Sequence, residues 1–442
     1  QANKRCPTSR WFKYKEGFSA GMVQYLLADA RSFKPVRFLD PFAGSGVALF
    51  EARRNGLQTT GMELLPIGIE IIRTRLAAET VSIQELSDAI RELRTFAFNG
   101  IPFSNTTLGE LTITAGAYPP ENIRQISAFR AYCDSCAHSK EIKKLLQFAA
   151  LCVLESCSYT RKDGQFLRWD IRSGKRTGSE FHKGPVMDFR TALFSKLIEI
   201  QQDLSNSELP FDSVSLPLQI LQGSVLDLLP EVPDNSIDLI ITSPPYCNRY
   251  DYTRTYALEL EYLGVTDAGL KQLRQDMLSC TVENREKIAY LKNRYSSIHR
   301  SGFQTEVTRI YDEHPALQEV LTLLERARLE NRLNNQNILR MIRGYFLEMC
   351  FVIHEMSRIL SPGGRIYMVN DNVRYAGEEI PVDLILSDFA RSAGLEVDII
   401  WKLKVGKGNS SQQMGAHGRK ELRKCVYVWS KRGSNGKVKD PS

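Results

Sequence analysis

Val36-Arg37-Phe38-Leu39-Asp40-Pro41-Phe42-Ala43-Gly44-Ser45-Gly46 reads as a short buried strand that runs into a tight, glycine-rich turn. A helix over residues 47–55 follows, and Gly56 closes it, because glycine enters the left-handed conformation of a helix C-terminus without strain. A second strand begins at Gln58 and ends on Glu63, and one amphipathic helix is expected over residues 66–96. Strand, turn, helix and strand with links this short form the pattern of a parallel α/β sheet.

The alternation stops over residues 99–215 and resumes with a third strand over 218–223 and a fourth over 237–241. A polar stretch of helical pattern, residues 265–336, interrupts it again. The core returns with a helix over 338–360, the turn Ser361-Pro362-Gly363-Gly364 and a strand over 365–369. A helix over 382–393 and strands over 395–404 and 424–430 complete the pattern, the last two suited to antiparallel pairing. The expected fold is α/β, a doubly wound, seven-stranded, mostly parallel sheet with two largely helical insertions. Residues 1–98, 216–264 and 337–432 form the core, 99–215 and 265–336 the insertions, and 433–442 a frayed tail.

Open parallel sheets bind ligands at the carboxyl ends of their strands, beside the point where strand order reverses. Gly44 and Gly46 let the backbone approach a ligand there. The turn lacks the Gly-Lys-Ser/Thr ending of a phosphate loop, and Leu49 stands where a dinucleotide fingerprint needs its third glycine. Glu63, at the end of the next strand, is placed to accept hydrogen bonds from both hydroxyls of a ribose. A glycine loop followed by an acid serves both nucleotide-binding and methyl-donor-binding sheets; the plainer alternative is a packing turn and a solvent-facing Glu.

Thr242-Ser243-Pro244-Pro245-Tyr246 comes directly after the fourth strand. Two prolines remove two backbone donors and fix two φ angles, which makes a rigid ledge of outward carbonyls. An aromatic amine is a poor nucleophile because its lone pair is delocalised into the ring. The Ser243 hydroxyl and the Pro244 carbonyl, accepting its two N–H bonds, draw the nitrogen toward tetrahedral geometry and free that pair. Tyr246 is placed to stack on a base. Cys247 follows Tyr246 rather than a proline, so it lacks the setting of a C5-attacking nucleophile and reads as packing. Arg249 and Arg254, interleaved with tyrosines in residues 248–256, are candidates for phosphate contacts. Asn370-Asp371-Asn372 is expected to open onto the same crevice.

The segment Asp-Pro-Phe-Ala-Gly-Ser-Gly and the Ser-Pro-Pro-Tyr ledge together resemble the DNA amino-methyltransferase family. The resemblance implies a class I, Rossmann-like methyltransferase fold and S-adenosylmethionine as cofactor. It assigns Asp40, Phe42, Ala43, Gly44, Ser45 and Gly46 to the methionine part and Glu63 to the ribose. Gly223-Ser224-Val225-Leu226-Asp227 looks like the family's adenine-side motif, with Ser224 where many relatives carry Asp; Ser224, Val225 and Asp227 are all candidates. Lys13-Tyr14-Lys15-Glu16-Gly17-Phe18-Ser19 resembles a further cofactor motif closing over the methionine end, through Lys15, Phe18 and Ser19. Serine at the head of the ledge is typical of cytosine-N4 enzymes, and Asp or Asn of adenine-N6 enzymes. The implied reaction is methylation of a flipped-out cytosine at N4, with adenine N6 or guanosine N2 of RNA as alternatives. A nonenzymatic DNA-recognition subunit on the same fold is the alternative of another class.

The net charge of +7 agrees with a polyanionic partner, here double-stranded DNA, and a cognate restriction endonuclease is a further expected partner. In this family the middle insertion commonly reads the target. Residues 161–190 carry eight Lys/Arg against four Asp/Glu, with Arg161, Lys162, Arg168, Trp169 and Arg172 as candidate DNA contacts beside Phe166, Phe181 and Phe189. The glycine- and serine-rich loop 406–419 is a further candidate. Cys133-x-x-Cys136 and His138 lack a fourth zinc ligand of suitable setting, so no metal is expected. Nine scattered cysteines suit reduced thiols in a cytoplasm, the lack of an apolar run of about 18 residues argues against a membrane span, and the resemblance implies a nucleoid-associated location.

Overall fold

Alternate residues of the central strands divide between two apolar cores, so the sheet is covered on both faces. Phe38, Leu239, Ile241, Tyr367 and Val426 pack with the helices Ala20–Ala30 and Val47–Arg54 on one side. Leu39, Ile240, Ile366, Met368 and Tyr427 pack with the helices Ile338–Ile359 and Val382–Ser392 on the other. This double burial is why the strands read as continuous apolar runs. The computed structural model describes residues 7–15, 17–98, 108–163, 166–175, 180–206, 216–404 and 422–433. The loop 406–419 and residues 434–442 lie outside them.

The seven strands are β1 (Arg37–Asp40), β2 (Gln58–Glu63), β3 (Leu218–Gln222), β4 (Ile237–Thr242), β5 (Leu360–Asp371), β6 (Glu396–Lys402) and β7 (Lys424–Ser430). Their order is β6-β7-β5-β4-β1-β2-β3. All pairs from β5 to β3 are parallel, and β7 runs antiparallel to both β5 and β6. The chain winds outward from β1 through β2 to β3, then crosses to β4 on the other side of β1. The switch point thus lies between the ends of β1 and β4, where the glycine loop and the proline ledge begin.

Two local expectations change. The helix expected over 66–96 is two helices, Pro66–Ala77 and Ile83–Thr95; Ser82 caps the second, its Oγ accepting from the Glu85 amide at 3.3 Å. The turn 361–364 lies inside β5 as a bulge: Leu360 pairs with Ile237, and the next pair is Arg365 with Leu239.

The helices Pro120–Ser135, Lys140–Val153 and Phe189–Ser205 of the first insertion share one apolar core with the helices Pro66–Ala77 and Ile83–Thr95. A hairpin of Thr160–Asp163 and Phe166–Trp169 lies against it. Trp11, Phe12, Tyr256, Leu258 and Leu260 join that core, although they come from segments assigned above to the catalytic part. The helices Ser301–Glu313 and Pro315–Leu329 of the second insertion pack on Ile338–Ile359. No helix among the described residues is long and apolar enough to cross a membrane.

Candidate active site

Asp40, fully buried at the end of β1, is the tie across the switch point. Its Oδ1 accepts from the Phe42 amide at 3.0 Å and from Thr242 Oγ1, at the end of β4, at 2.8 Å. Oδ2 is buried with no partner among the described residues. Burial pushes the carboxyl up to about 7. Glu63 is the matching tie between β2 and the loop: it accepts from the amides of Gly44 and Leu65 at 2.7 Å each. Its burial also raises it to about 7.

Gly44 has φ +54°, and a Cβ on it would come within 3.2 Å of the Tyr14 ring. A side chain there would press on the Tyr14 ring that packs over the loop. Gly68 has a different reason: a Cβ would lie 2.6 Å from the Gly44 carbonyl and 2.7 Å from Glu63. Gly46 is the N-cap of the helix Val47–Arg54.

A cleft crosses the ends of β4, β1, β2 and β3. Ser243 and Pro245 stand at β4, Phe42, Ala43, Gly44 and Ser45 at β1, Glu63 at β2, and Gly223, Ser224 and Val225 at β3. Tyr14, Gly17, Phe18 and Tyr252 cover it from one side, and Asp276, Met277 and Leu278 from another. The covering segment is anchored at its start by Asp203, which accepts from Arg10 Nε at 2.9 Å and Trp11 Nε1 at 2.8 Å. Tyr14 stacks on Tyr256 with ring centroids 5.0 Å apart.

The remaining expected cofactor residues lie elsewhere. Lys15 donates its amide to the Tyr256 hydroxyl at 2.6 Å. Ser19 caps the helix Ala20–Ala30 and faces a neighbouring hollow. Asp227 is turned away by the short helix Val225–Leu228 and accepts from the Tyr290 hydroxyl, with Arg294 3.7 Å away. It pairs with the second insertion rather than lining the cleft.

At the ledge, Ser243 Oγ lies 3.1 Å from the Tyr246 hydroxyl. Tyr246 is only 9% exposed, and Lys424 Nζ sits 5.6 Å from its ring centroid, so its face is less open to stacking than expected. Pro244 is buried and only Ser243 and Pro245 of the ledge line the cleft. Burial pushes the Cys247 thiol up, and its carbonyl accepts from the Tyr375 hydroxyl at 2.7 Å. Asn370 is buried and donates to the Tyr345 hydroxyl at 2.8 Å; Asn372 bonds to Glu379 and the Asp383 amide, and Asp371 lies 3.6 Å from Lys424. These three side chains secure the end of β5 instead of opening onto the cleft.

The candidate nucleic-acid residues divide. Lys162 is 6% exposed, ion-paired with Glu259 and 4.9 Å from the Tyr256 ring centroid, so it belongs to the interior. Phe189 is likewise core. Arg161 is exposed on the hairpin, directly across from Arg168. Arg168 lies over the Phe181 ring at 4.4 Å, and Lys175 covers the Trp169 ring at 3.7 Å. Arg172 is held by Asp170 through bonds of 2.7 and 2.9 Å. Arg249 donates to Asn334 at 3.1 Å and Arg254 to Glu283 at 2.7 Å, tying both to the second insertion. Cys133 and Cys136 are buried among helices, and His138 pairs with Glu92 at 3.0 Å.

Asp276–Leu278 were not anticipated, because nothing in the periodicity of a polar insertion marks the residues that fold back onto a distant strand end. On the helix after Tyr256, Glu261 accepts from the Gly109 and Leu111 amides at 2.8 and 3.0 Å. Glu259 and Glu261 thus grip the first insertion with two buried carboxylates, another contact with no local signature.

Fold and cleft together give a doubly wound α/β sheet with a candidate site at its switch point. No family model matches the chain. It is 48% identical over 438 residues to the Type II methyltransferase M.AvaI of Nostoc sp. and of Anabaena variabilis, covering 98% of this chain and 88% of theirs. To the Type II methyltransferase M.BsoBI of Geobacillus stearothermophilus it is 39% identical over 448 residues, covering 98% and 87%. The chain belongs to the type II methyltransferase family. Among solved structures, the rRNA methyltransferase aviRa from Streptomyces viridochromogenes aligns at 12% identity over 97% of this chain and 95% of that one. Its TM-score of 0.32 is too low to bear on fold or substrate.

Proposed function

We propose that this enzyme transfers a methyl group from S-adenosylmethionine to the N4 amine of cytosine in double-stranded DNA. The cleft suits that cofactor. Gly44, whose lack of a Cβ lets the Tyr14 ring pack directly over the loop, lines the cleft, and Glu63 keeps lone pairs on both oxygens for ribose hydroxyls. Phe42–Ser45 and Phe18 flank the end nearest Ser243. S-adenosylmethionine bound there supplies an electrophilic methyl group.

The protein's part is to hold and activate the amine. Ser243 Oγ, released from Tyr246 or sharing its second lone pair, accepts one N–H of the base, and the Pro244 carbonyl accepts the other. With both N–H bonds directed into the ledge, the nitrogen lone pair points along the cleft. The product amine is acidic once methylated, so no strong base is required. Tyr252, which lines the cleft, is better exposed for stacking than Tyr246.

The observation that carries this reading is Ser243 at the end of β4, across one continuous cleft from the glycine loop and Glu63. Serine at this position supports cytosine over adenine. DNA is supported by the hairpin that carries the exposed Arg161 and the half-exposed Arg168, and target reading is assigned to the first insertion. A paired restriction endonuclease and a cytoplasmic, nucleoid-associated location accord with a modification enzyme. The test is to methylate DNA with the pure enzyme and labelled cofactor, digest to nucleosides and separate them. N4-methylcytosine is expected; N6-methyladenine would transfer the reading to adenine.

A further inference from the structure

The second insertion returns to the cleft at one place, and a buried ion pair holds it there. Ser224 Oγ, at the end of β3, donates to the Asp276 carbonyl at 2.8 Å. Lys287 Nζ donates to the Met277 carbonyl at 2.8 Å and to Glu348 Oε2 at 2.9 Å. Glu348 Oε2 also accepts from the Ser279 amide at 2.9 Å, and its Oε1 accepts from the Ser279 hydroxyl. Lys287, Ser279 and Glu348 are all buried. Gly344, one turn before Glu348, admits this close approach: a Cβ there would lie 2.8 Å from Ser279 Oγ.

A buried ion pair stabilises a fold poorly compared with apolar side chains of the same size. This pair directs its hydrogen bonds onto the backbone at 277 and 279, beside the cleft wall. The cleft passes Ser243 at β4, the glycine loop at β1 and Glu63 at β2 before it reaches β3. A nucleoside cofactor with its methyl at Ser243 and its ribose at Glu63 has its purine at the β3 end, between Gly223–Val225 and Met277–Leu278. Resting on the cofactor reading above, we infer that the second insertion supplies the purine wall of the cleft and that Lys287 and Glu348 are the positioning residues that set it.

Amide hydrogen exchange of the whole wild-type chain tests this without a substitution. 5′-Methylthioadenosine, a purine and ribose without the amino acid, is expected to slow exchange in peptides spanning 274–282. Protection of the Glu63 region with unchanged exchange in 274–282 would overturn the inference. The paired variant K287M/E348M then separates positioning from stability. It is expected to keep a near wild-type melting temperature while its affinity for S-adenosylhomocysteine, measured by calorimetry, falls about tenfold or more. Wild-type affinity in that variant overturns the positioning role; if the variant does not fold, the exchange result decides. A wild-type chain that binds neither compound removes the cofactor reading itself, and this inference with it.

Discussion

Thr242 Oγ1 donates to Asp40 Oδ1 at 2.8 Å, joining the last residue of β4 to the last residue of β1. The bond fixes the start of the proline ledge against the start of the glycine loop. Replacing Thr242 with Val keeps the shape and removes the donor. The expected loss is about 1–2 kcal/mol of stability, because the buried carboxyl loses one of its bonds. Denaturant unfolding measures it, and an unchanged midpoint would count against the tie.

Ser243→Ala removes the hydroxyl that faces the cleft. Turnover on DNA is expected to fall about 10²–10³-fold, the usual loss for one preorganised polar contact to the reacting group. Affinity for S-adenosylhomocysteine should stay within about twofold, since the proposed contact of Ser243 is with the amine and not the nucleoside. Wild-type turnover in this variant removes Ser243 from the mechanism.

Glu63 is raised from 4.5 to about 7 in the fold, so between those values the folded chain binds a proton that the unfolded chain does not. Its contribution to stability therefore declines as pH rises from 4.5 to about 7 and is level above. Glu63→Gln lacks this decline. The melting temperature of the variant minus that of wild type should rise between pH 5 and 7.5, and a flat difference would be the contrary result. Cofactor affinity should increase over the same window, because ribose hydroxyls need the ionised acceptor and the sulfonium favours it.

Lys162→Met should act on the fold rather than on DNA binding. It leaves Glu259 buried without its cation, a change that costs about 3–5 kcal/mol where one partner of a buried pair is removed. Arg161→Ala should do the opposite: an unchanged melting temperature, weaker DNA binding and a shallower salt dependence. Fluorescence anisotropy over a salt series distinguishes the two.

The sheet was legible because its central strands β1, β4 and β5 carry apolar runs buried on both faces and because glycines and prolines punctuate the strand ends. The polar β2 and the half-exposed edge strands β3 and β6 were placed by the alternation of strands with helices and turns. Ser243 and the run from Phe42 to Glu63 were legible for the same reason, since chemistry at a strand end is marked by the turn that follows it. What escaped was long-range. Lys162 looks like a surface cation until Glu259, 97 positions later, is placed beside it. Asp227 looks like a cleft residue until Tyr290 and Arg294 draw it away. Asp276–Leu278 carry no local pattern, because their place depends on Glu348 and Ser224.

The grip of Glu259 and Glu261 on the first insertion bears on whether that insertion can be exchanged on its own. Exchanging residues 99–215 for a stretch with no cation in place of Lys162, or with another backbone path at 109–111, would leave Glu259 or Glu261 buried without its partners. The first insertion is therefore not a detachable cassette: its inheritance is linked to the helix Ala257–Tyr262, which begins eleven positions after Tyr246. New specificities in this lineage are expected to arise by substitution on the exposed hairpin, or by exchange of a longer stretch that carries both sides of the grip together.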